Sequence, residues 1–539
     1  MARSKSSSKP AASAARGEIT QSKINSAGES ETSSIASWKA RLYLGLVCFF
    51  AWGCVMVIEI CAYRLLAPLF GNSVYTWTAL IGVVLIASSV GGYLGGWLSD
   101  RRLALDLLGW LLIGAAVLVF FIPPLHSLLG PRLITGGLIV GPVVTSLLLL
   151  AMPGILLGAV GPAATRFYSL TRQDSRVGAS AGVVSMLGSL GSFTGTFLAG
   201  FVLLANFSVR GIFFGVGLLL TLLAMGGFFL ARNSMQQMLP LLLAAGMAAG
   251  FSFTGEEPPP ADVLFQKETY YHRIRVSEDG RSPYKKRVLE LDNTQEGGIN
   301  PDTQGLILQY QQFWQLARLP EQARIDRALF LGAGAFGMPN HVSKEFPEAR
   351  VDVVEIDPAV IEVGREFFFL NDHPHVTAHA GDARRFVSLQ DATTRWDLIF
   401  GDAYNGVRAI PSHLTTREFF EQISAHLTDD GVFLMNIICT LQGPRSELLQ
   451  GMLTTLRSVF PQVEVFAVHG RGPNPQNLIL LASRRDWQPV LEKYYPAGSI
   501  QARMVSTRVP PNQLPANGPI YTDDRNPVDA IIARTLRTL

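Results

Sequence analysis

Seven apolar runs, each near the roughly 20 residues that a bilayer-crossing helix needs, fill much of the first half of the chain. They fall at approximately residues 42–60, 75–98, 104–122, 134–160, 180–204, 211–231 and 236–253. The polar breaks between them carry arginine: Asp100-Arg101-Arg102, then Arg166 through Arg176, then Arg232. Positive loops favour the cytoplasmic side, which puts these breaks and the Lys39/Arg41 end there. Seven crossings from that start leave the rest of the chain outside. The seventh run holds Gln236, Gln237 and Pro240; if it only lies in the interface, the rest stays inside. Both topologies remain open at this stage. Residues 254–262 (TGEEPPPAD) read as a linker. Residues 263–294 then alternate with period two, in VLFQKETYYHRIRVSEDG and KKRVLELDN, as antiparallel strands do. From 328 strand patterns alternate with helical ones, which predicts a mostly parallel α/β sheet.

The predicted fold class is a multi-span α-helical membrane domain followed by a Rossmann-like α/β domain, with a small β-strand subdomain in front of it. The expected divisions are a disordered basic arm at 1–41, the membrane domain at 42–253, the linker at 254–262, the β subdomain with a gatekeeping helix at 263–327, and the Rossmann-like domain at 328–539.

Charge sharpens the division. Of 87 charged residues in 539, 13 lie within 42–253 and 64 within 254–539. So few charges over the middle segment exclude a wholly soluble protein, and the ordinary composition of the last half excludes a purely membrane one. The net charge of +3, without a basic stripe interleaved with aromatics, gives no reason to expect a nucleic-acid partner. Cys48, Cys54, Cys61 and Cys439 form no CxxC pair and read as buried thiols. Gly91, Gly92, Gly95 and Gly96, and then Gly188, Gly191, Gly195 and Gly200, have the spacing of closely packed helices. His341, His373, His375, His379 and His413 show no metal-ligand spacing and read as surface or loop histidines; no metal is expected.

The chemistry lies at four successive strand tips. Ala328 to Gly337 (ALFLGAGAFG) is a strand that ends in a glycine-rich turn, with Gly332, Gly334 and Gly337, and opens a helix. Alone, such a turn is a weak signal. About twenty residues on, VDVVEIDP ends a second strand in Glu355, where doubly wound folds place the acid that accepts from a ribose diol. A third unit ends in Gly381-Asp382-Ala383, whose carboxylate suits an adenine amino group, and a fourth in Gly401-Asp402-Ala403-Tyr404-Asn405. One aspartate after a strand is usually a helix cap; four tips in order point to an adenosyl ligand. With no Walker lysine, that ligand is expected to be of the S-adenosylmethionine kind.

Residues 263–538 resemble the spermidine/spermine synthase family, the polyamine aminopropyltransferases, in its membrane-fused branch. The resemblance rests on ETYYHRIRV, LFLGAGAFG, VDVVEIDP, GDARRF, DLIFGDAYNG, IPSHLTTREFF and YTDDRNPVD, and in the membrane half on EICAYRLLAPLFGNSVY. It implies transfer of the propylamine group of decarboxylated S-adenosylmethionine, a co-substrate, to an amine such as putrescine, releasing methylthioadenosine. It also implies a multi-pass protein of the cell membrane and a family tendency to form homodimers. By residue, it implies Asp402 as the catalytic acid, Glu355 and Asp382 at ribose and adenine, Gln295 at the thioadenosine end, and Tyr271 framing the polyamine. Tyr310, Tyr404 and Asn405 fall on the acceptor side, and Gly332, Gly334, Gly337 and Ala383 on the nucleoside side. Two departures bear on the acceptor. The family's D-x-x-D tip reads Asp402-Ala-Tyr-Asn405, and its Tyr-His-Glu reads Tyr310-Gln311-Gln312.

Two rival functions share these residues. A methyltransferase on the same fold would take intact S-adenosylmethionine and need a donor for its carboxylate; a non-enzymatic polyamine receptor or transporter would bind without turnover.

Overall fold

The protein is described from a computed structural model over residues 38–536, leaving aside 71–73, 102–105, 134–136, 172–176, 232–234, 253–259, 270, 293, 321–322, 405–409, 444 and 473. It divides into two compact units, one helical and one built on sheets. Residues 1–37 of the predicted arm, most of the predicted linker and Asn405 lie outside the described residues.

The helical unit comprises α1 (Trp38–Phe70), α2 (Val74–Arg101), α3 (Asp106–Leu133), α4 (Gly137–Thr171), α5 (Val177–Leu198), α6 (Val209–Leu230) and α7 (Met235–Ser252). Helix α1 begins at Trp38, so Lys39 and Arg41 belong to it rather than to the arm. Among the described residues, six helices are long and apolar enough to cross a membrane, where the sequence predicts seven. The one not among them is α7. Its 18 residues are long enough, but Gln236, Gln237 and Pro240 dilute its apolar character.

Glycine sets how closely these helices approach. A Cβ at Gly91 or Gly95 of α2 would collide with backbone at Ile155 and Ala159 of α4, and one at Gly191 or Gly195 of α5 with backbone at Phe49 and Gly53 of α1. Such contacts suit helices whose association in lipid relies on van der Waals packing. Gly200 differs from the expectation: it lies in a π-helical turn, Ala199–Leu203, and faces open space.

The second unit opens with an antiparallel sheet in the order β1 (Val263–Glu268), β2 (Arg273–Asp279), β3 (Lys286–Leu291), β4 (Thr294–Ile299). A seven-stranded sheet follows, from β5 (Arg327–Leu331), β6 (Arg350–Glu355), β7 (Val376–Ala380), β8 (Trp396–Gly401), β9 (Leu427–Cys439), β10 (Gln462–Ala467) and β11 (Gln476–Ser483). Its order is β10-β11-β9-β8-β5-β6-β7. Strands β5 to β9 pair in parallel, and β11 is antiparallel to both β9 and β10. This is the mixed Rossmann-like sheet of methyltransferase-type domains. The parallel strands are apolar without interruption because both faces are covered. Leu329, Leu331, Val354 and Ile399 enter one core, while Phe330, Val353, Leu398 and Phe400 enter the other. Strand order reverses between β5 and β8, and open α/β sheets bind ligands at the carboxyl ends beside such a reversal.

Candidate active site

The glycine turn after β5 forms the floor of the site. Gly332 has φ of +100° and Gly334 +49°. A Cβ at 332 would strike the carbonyl of Asp402, so this position needs both the conformation and the absent side chain. The Gly332 N–H donates to Val354 O at 2.9 Å, and the Asp402 N–H to Leu331 O at 2.8 Å, which ties three strand tips together. Gly337 opens α8 (Gly337–Glu345) and is not among the lining residues of the two cavities of this site; a Cβ there would crowd Leu306 and Ile299.

Glu355 ends β6, buried, with both oxygens engaged by backbone: Oε2 accepts from Ala333 N at 3.1 Å and Oε1 from Asp357 N at 3.0 Å. Burial raises its pKa, and these two N–H groups oppose the shift. Asp357 caps α9 (Pro358–Phe367), accepting from Ala359 N at 3.0 Å; its other oxygen takes the Thr269 hydroxyl. Asp382 caps α10 (Ala383–Ser388) through Arg385 N at 2.8 Å and meets His413 Nε2 with its second oxygen, also at 2.8 Å. The cap reading and the ligand reading of Asp382 are thus compatible.

Asp402 stands at the tip of β8. Its Oδ1 accepts from Asn436 Nδ2 at 2.8 Å, and the Tyr310 hydroxyl also hydrogen-bonds its carboxylate. Burial pushes its pKa up to about 6, against the pull of those two donors. The Tyr310 hydroxyl is also 3.2 Å from Glu296 O, fixing β4 beside the site.

Two cavities meet here. The first is walled by the glycine turn, Glu355, Asp382, Ala383, His272 and the 411–414 loop. The second is lined among others by Gln295, Gln309, Tyr310, Asn436, His469 and Asn477. Glu296, Asp402 and Tyr404 line both. Among the described residues, neither lining contains a lysine or arginine, while four carboxylates are present. Burial and the charges of Asp402, Glu355 and Asp292 hold the Glu296 carboxyl well above the usual carboxylate range.

The predicted site residues therefore divide. Gly332, Gly334, Glu355, Asp382, Ala383, Asp402 and Tyr404 converge on the first cavity. Gln295, expected at the thioadenosine end, lines only the second, with Tyr310. Tyr271 is not among the lining residues of either cavity. Gln311 is buried and its amide oxygen accepts from Leu308 N, and Gln312 accepts from Gln315; neither is among the lining residues of these two cavities. His413, read as a loop histidine, lines the first cavity against Asp382.

Residues the sequence reading passed over are Glu296, His272, His469, Asn436 and Asn477. His272 is buried with Nδ1 3.3 Å from Asp292 Oδ2. The closing YTDDRNPVD segment braces the cavity wall. Asp523 holds Arg384 through two 2.6 Å bonds, Arg384 also donates to His413 O at 3.1 Å, and Asn526 donates to Ser412 O at 2.7 Å.

Residues 320–471 match the family of the spermine/spermidine synthase domain. The chain is 31% identical over 179 residues to a polyamine aminopropyltransferase of Vibrio vulnificus, covering 33% of this chain and 58% of that protein. It therefore spans little more than half the length of that relative. It is 27% identical over 151 residues to the human eEF1A lysine and N-terminal methyltransferase, covering 26% of this chain and 21% of that one. Among solved structures, a probable spermidine synthase from Corynebacterium glutamicum superposes with a TM-score of 0.37 at 23% identity, covering 52% of this chain and 95% of the other.

Proposed function

Because the chain carries a spermine/spermidine synthase domain at residues 320–471, we propose that it is a membrane-anchored polyamine aminopropyltransferase. In this reading the donor is decarboxylated S-adenosylmethionine and the acceptor a primary amine of the putrescine class. The amine nitrogen attacks the methylene carbon bonded to sulfur. The carbon–sulfur bond breaks with its electron pair going to sulfur, which leaves as the neutral thioether methylthioadenosine. The new ammonium gives its proton to Asp402, whose carboxylate also balances charge in the transition state. Glu355 takes the ribose diol and Asp382 the adenine amino group, with the Gly332–Gly334 turn and Ala383 as the backbone cradle. Tyr310 and Tyr404 frame the reacting amine, with Gln295 on the same cavity wall as Tyr310, and Asn405 follows the tip.

The observation that carries this reading is the convergence of four carboxylates, Glu296, Glu355, Asp382 and Asp402, on the two cavities. Intact S-adenosylmethionine would bring a carboxylate into that field, whereas the decarboxylated donor brings only cationic and neutral groups. The test is incubation of the full chain with each sulfonium donor and a panel of amines. Methylthioadenosine release from the decarboxylated donor is expected. Methylated product from the intact donor, with no methylthioadenosine from the other, would make the chain a methyltransferase.

The same reading places the protein in the cell membrane with its sheet-bearing unit in the cytoplasm. Six crossings from a cytoplasmic start put the Asp100–Arg102, Arg166–Arg176 and Arg232 segments inside, in keeping with their charge, and return the chain to the side where the donor is made. Helix α7 then lies at the interface. The partners in this reading are the lipid bilayer, the amine and a second copy of the chain.

A further inference from the structure

The four carboxylates around the two cavities are not equally committed. Glu355 has one oxygen on Ala333 N and the other on Asp357 N. Asp382 has one on Arg385 N and the other on His413. Asp402 accepts from Asn436 and Tyr310. The Glu296 carboxyl has no hydrogen-bond or ion-pair partner among the described residues, although it stands on the wall common to both cavities. A carboxyl recessed among other acids and left without a partner is costly unless a ligand supplies the cation.

Its backbone is held firmly. Gly297 lets β4 approach so closely that a Cβ there would press on Ala335 N, and a Cβ at Gly334 would come within 3.0 Å of Glu296 O. The Tyr310 hydroxyl lies 3.2 Å from that same oxygen. The uncommitted side chain therefore projects from fixed backbone on the wall that Glu296 shares with Asp402 and Tyr404, where both cavities are lined by the same three residues.

We propose that Glu296 receives the primary ammonium of the donor's three-carbon arm and thereby selects the decarboxylated donor over intact S-adenosylmethionine. The proposal rests on the aminopropyl-transfer reading and adds a residue that decides between two closely similar nucleosides. Burial and neighbouring charge hold the Glu296 carboxyl above the usual range, and an incoming ammonium favours its charged form. Methylthioadenosine, which ends in a neutral methyl, makes no demand on Glu296.

The experiment is calorimetry on the full chain in detergent micelles, with decarboxylated S-adenosylmethionine, S-adenosylmethionine and methylthioadenosine, on wild type, Glu296→Gln and Glu296→Asp. Loss of one charged hydrogen bond corresponds to about 10- to 100-fold in affinity. The expected result is that Glu296→Gln weakens the decarboxylated donor by that factor, leaves methylthioadenosine within about twofold, and narrows the preference over the intact donor; the factors are those of the lost charge alone. Glu296→Asp, which keeps the charge on a shorter arm, should recover part of the loss. Unchanged donor affinity in Glu296→Gln overturns the proposal, as does a parallel loss of methylthioadenosine binding in both variants. Should wild type itself prefer the intact donor while still binding methylthioadenosine, the aminopropyl-transfer reading falls as well, and the two failures are told apart by the wild-type titrations alone.

Discussion

Asn436 donates its side-chain amide to Asp402 Oδ1 at 2.8 Å, with its own amide oxygen held by Asn477 Nδ2 at 3.0 Å. The two asparagines lie on neighbouring strands β9 and β11, where Asn436 pairs with Ile479 and Asn477 with Ile438. Because Asn477 occupies the oxygen of Asn436, the NH2 of Asn436 faces the carboxylate. That donor favours the charged form of Asp402 and opposes the effect of burial. In Asn436→Leu, the acid limb of the pH–rate profile should move upward by roughly 0.5–1 unit. A profile that stays in place would show that Asp402 is not the group titrating in that limb.

Replacing Asp402 by Asn keeps its shape and removes the base. In the aminopropyl-transfer reading turnover should fall about 10²–10⁴-fold, while donor binding changes little because that reading seats the nucleoside on Glu355 and Asp382. Single-turnover rates together with calorimetry separate the two effects. Wild-type rates in Asp402→Asn would rule out Asp402 as the base.

Activity and stability should respond to pH in opposite senses at this residue. The folded pKa of about 6 lies above the unfolded carboxylate value near about 4. Activity needs the carboxylate and should rise through pH 6. The folded chain binds the extra proton, so its stabilising contribution is complete below about pH 4 and is lost as pH rises through 6. Thermal melts of Asp402→Asn should therefore exceed wild type above pH 7 and match it near pH 4.

In the helical unit, Gly195 has no room for a side chain, since a Cβ would enter the Gly53 backbone. Gly195→Val should separate α1 from α5 and cost about 1–3 kcal/mol or more, seen as a lower melting temperature in detergent. Gly200→Val, facing open space, is the control. Equal effects of the two substitutions would contradict close backbone packing at residue 195.

Much of this was legible along the chain because the information is local. Gly332, Glu355, Asp382 and Asp402 each end their own strand, so alternation of strand and helix with an acid at the tip is enough to find them. Glu296 has no such marker. Period two says that Gln295 and Glu296 face opposite ways, yet both line the second cavity and Glu296 also lines the first, which depends on the register shift between Leu289 and Glu290 where β4 pairs with β3. Asn436 and Asn477 read as polar interruptions in apolar strands, and their role exists only through the β9–β11 register. His413 gains its meaning from Asp382, 31 residues earlier. The seventh helix formed as predicted, but Gln236, Gln237 and Pro240 leave it less apolar than the six helices that could cross a membrane.

The double engagement of Asp382 has a thermodynamic consequence for the ligand. Its carboxylate is immobilised when the chain folds, by the first turn of α10 and by His413. In the proposed reading an arriving adenine would meet an acceptor whose rotamer is already chosen, so the loss of side-chain freedom belongs to folding and not to association. Nucleoside binding should therefore carry a small conformational-entropy penalty at this position. A variant that abolished the capping bond while leaving the carboxylate in place would bind more weakly through entropy alone.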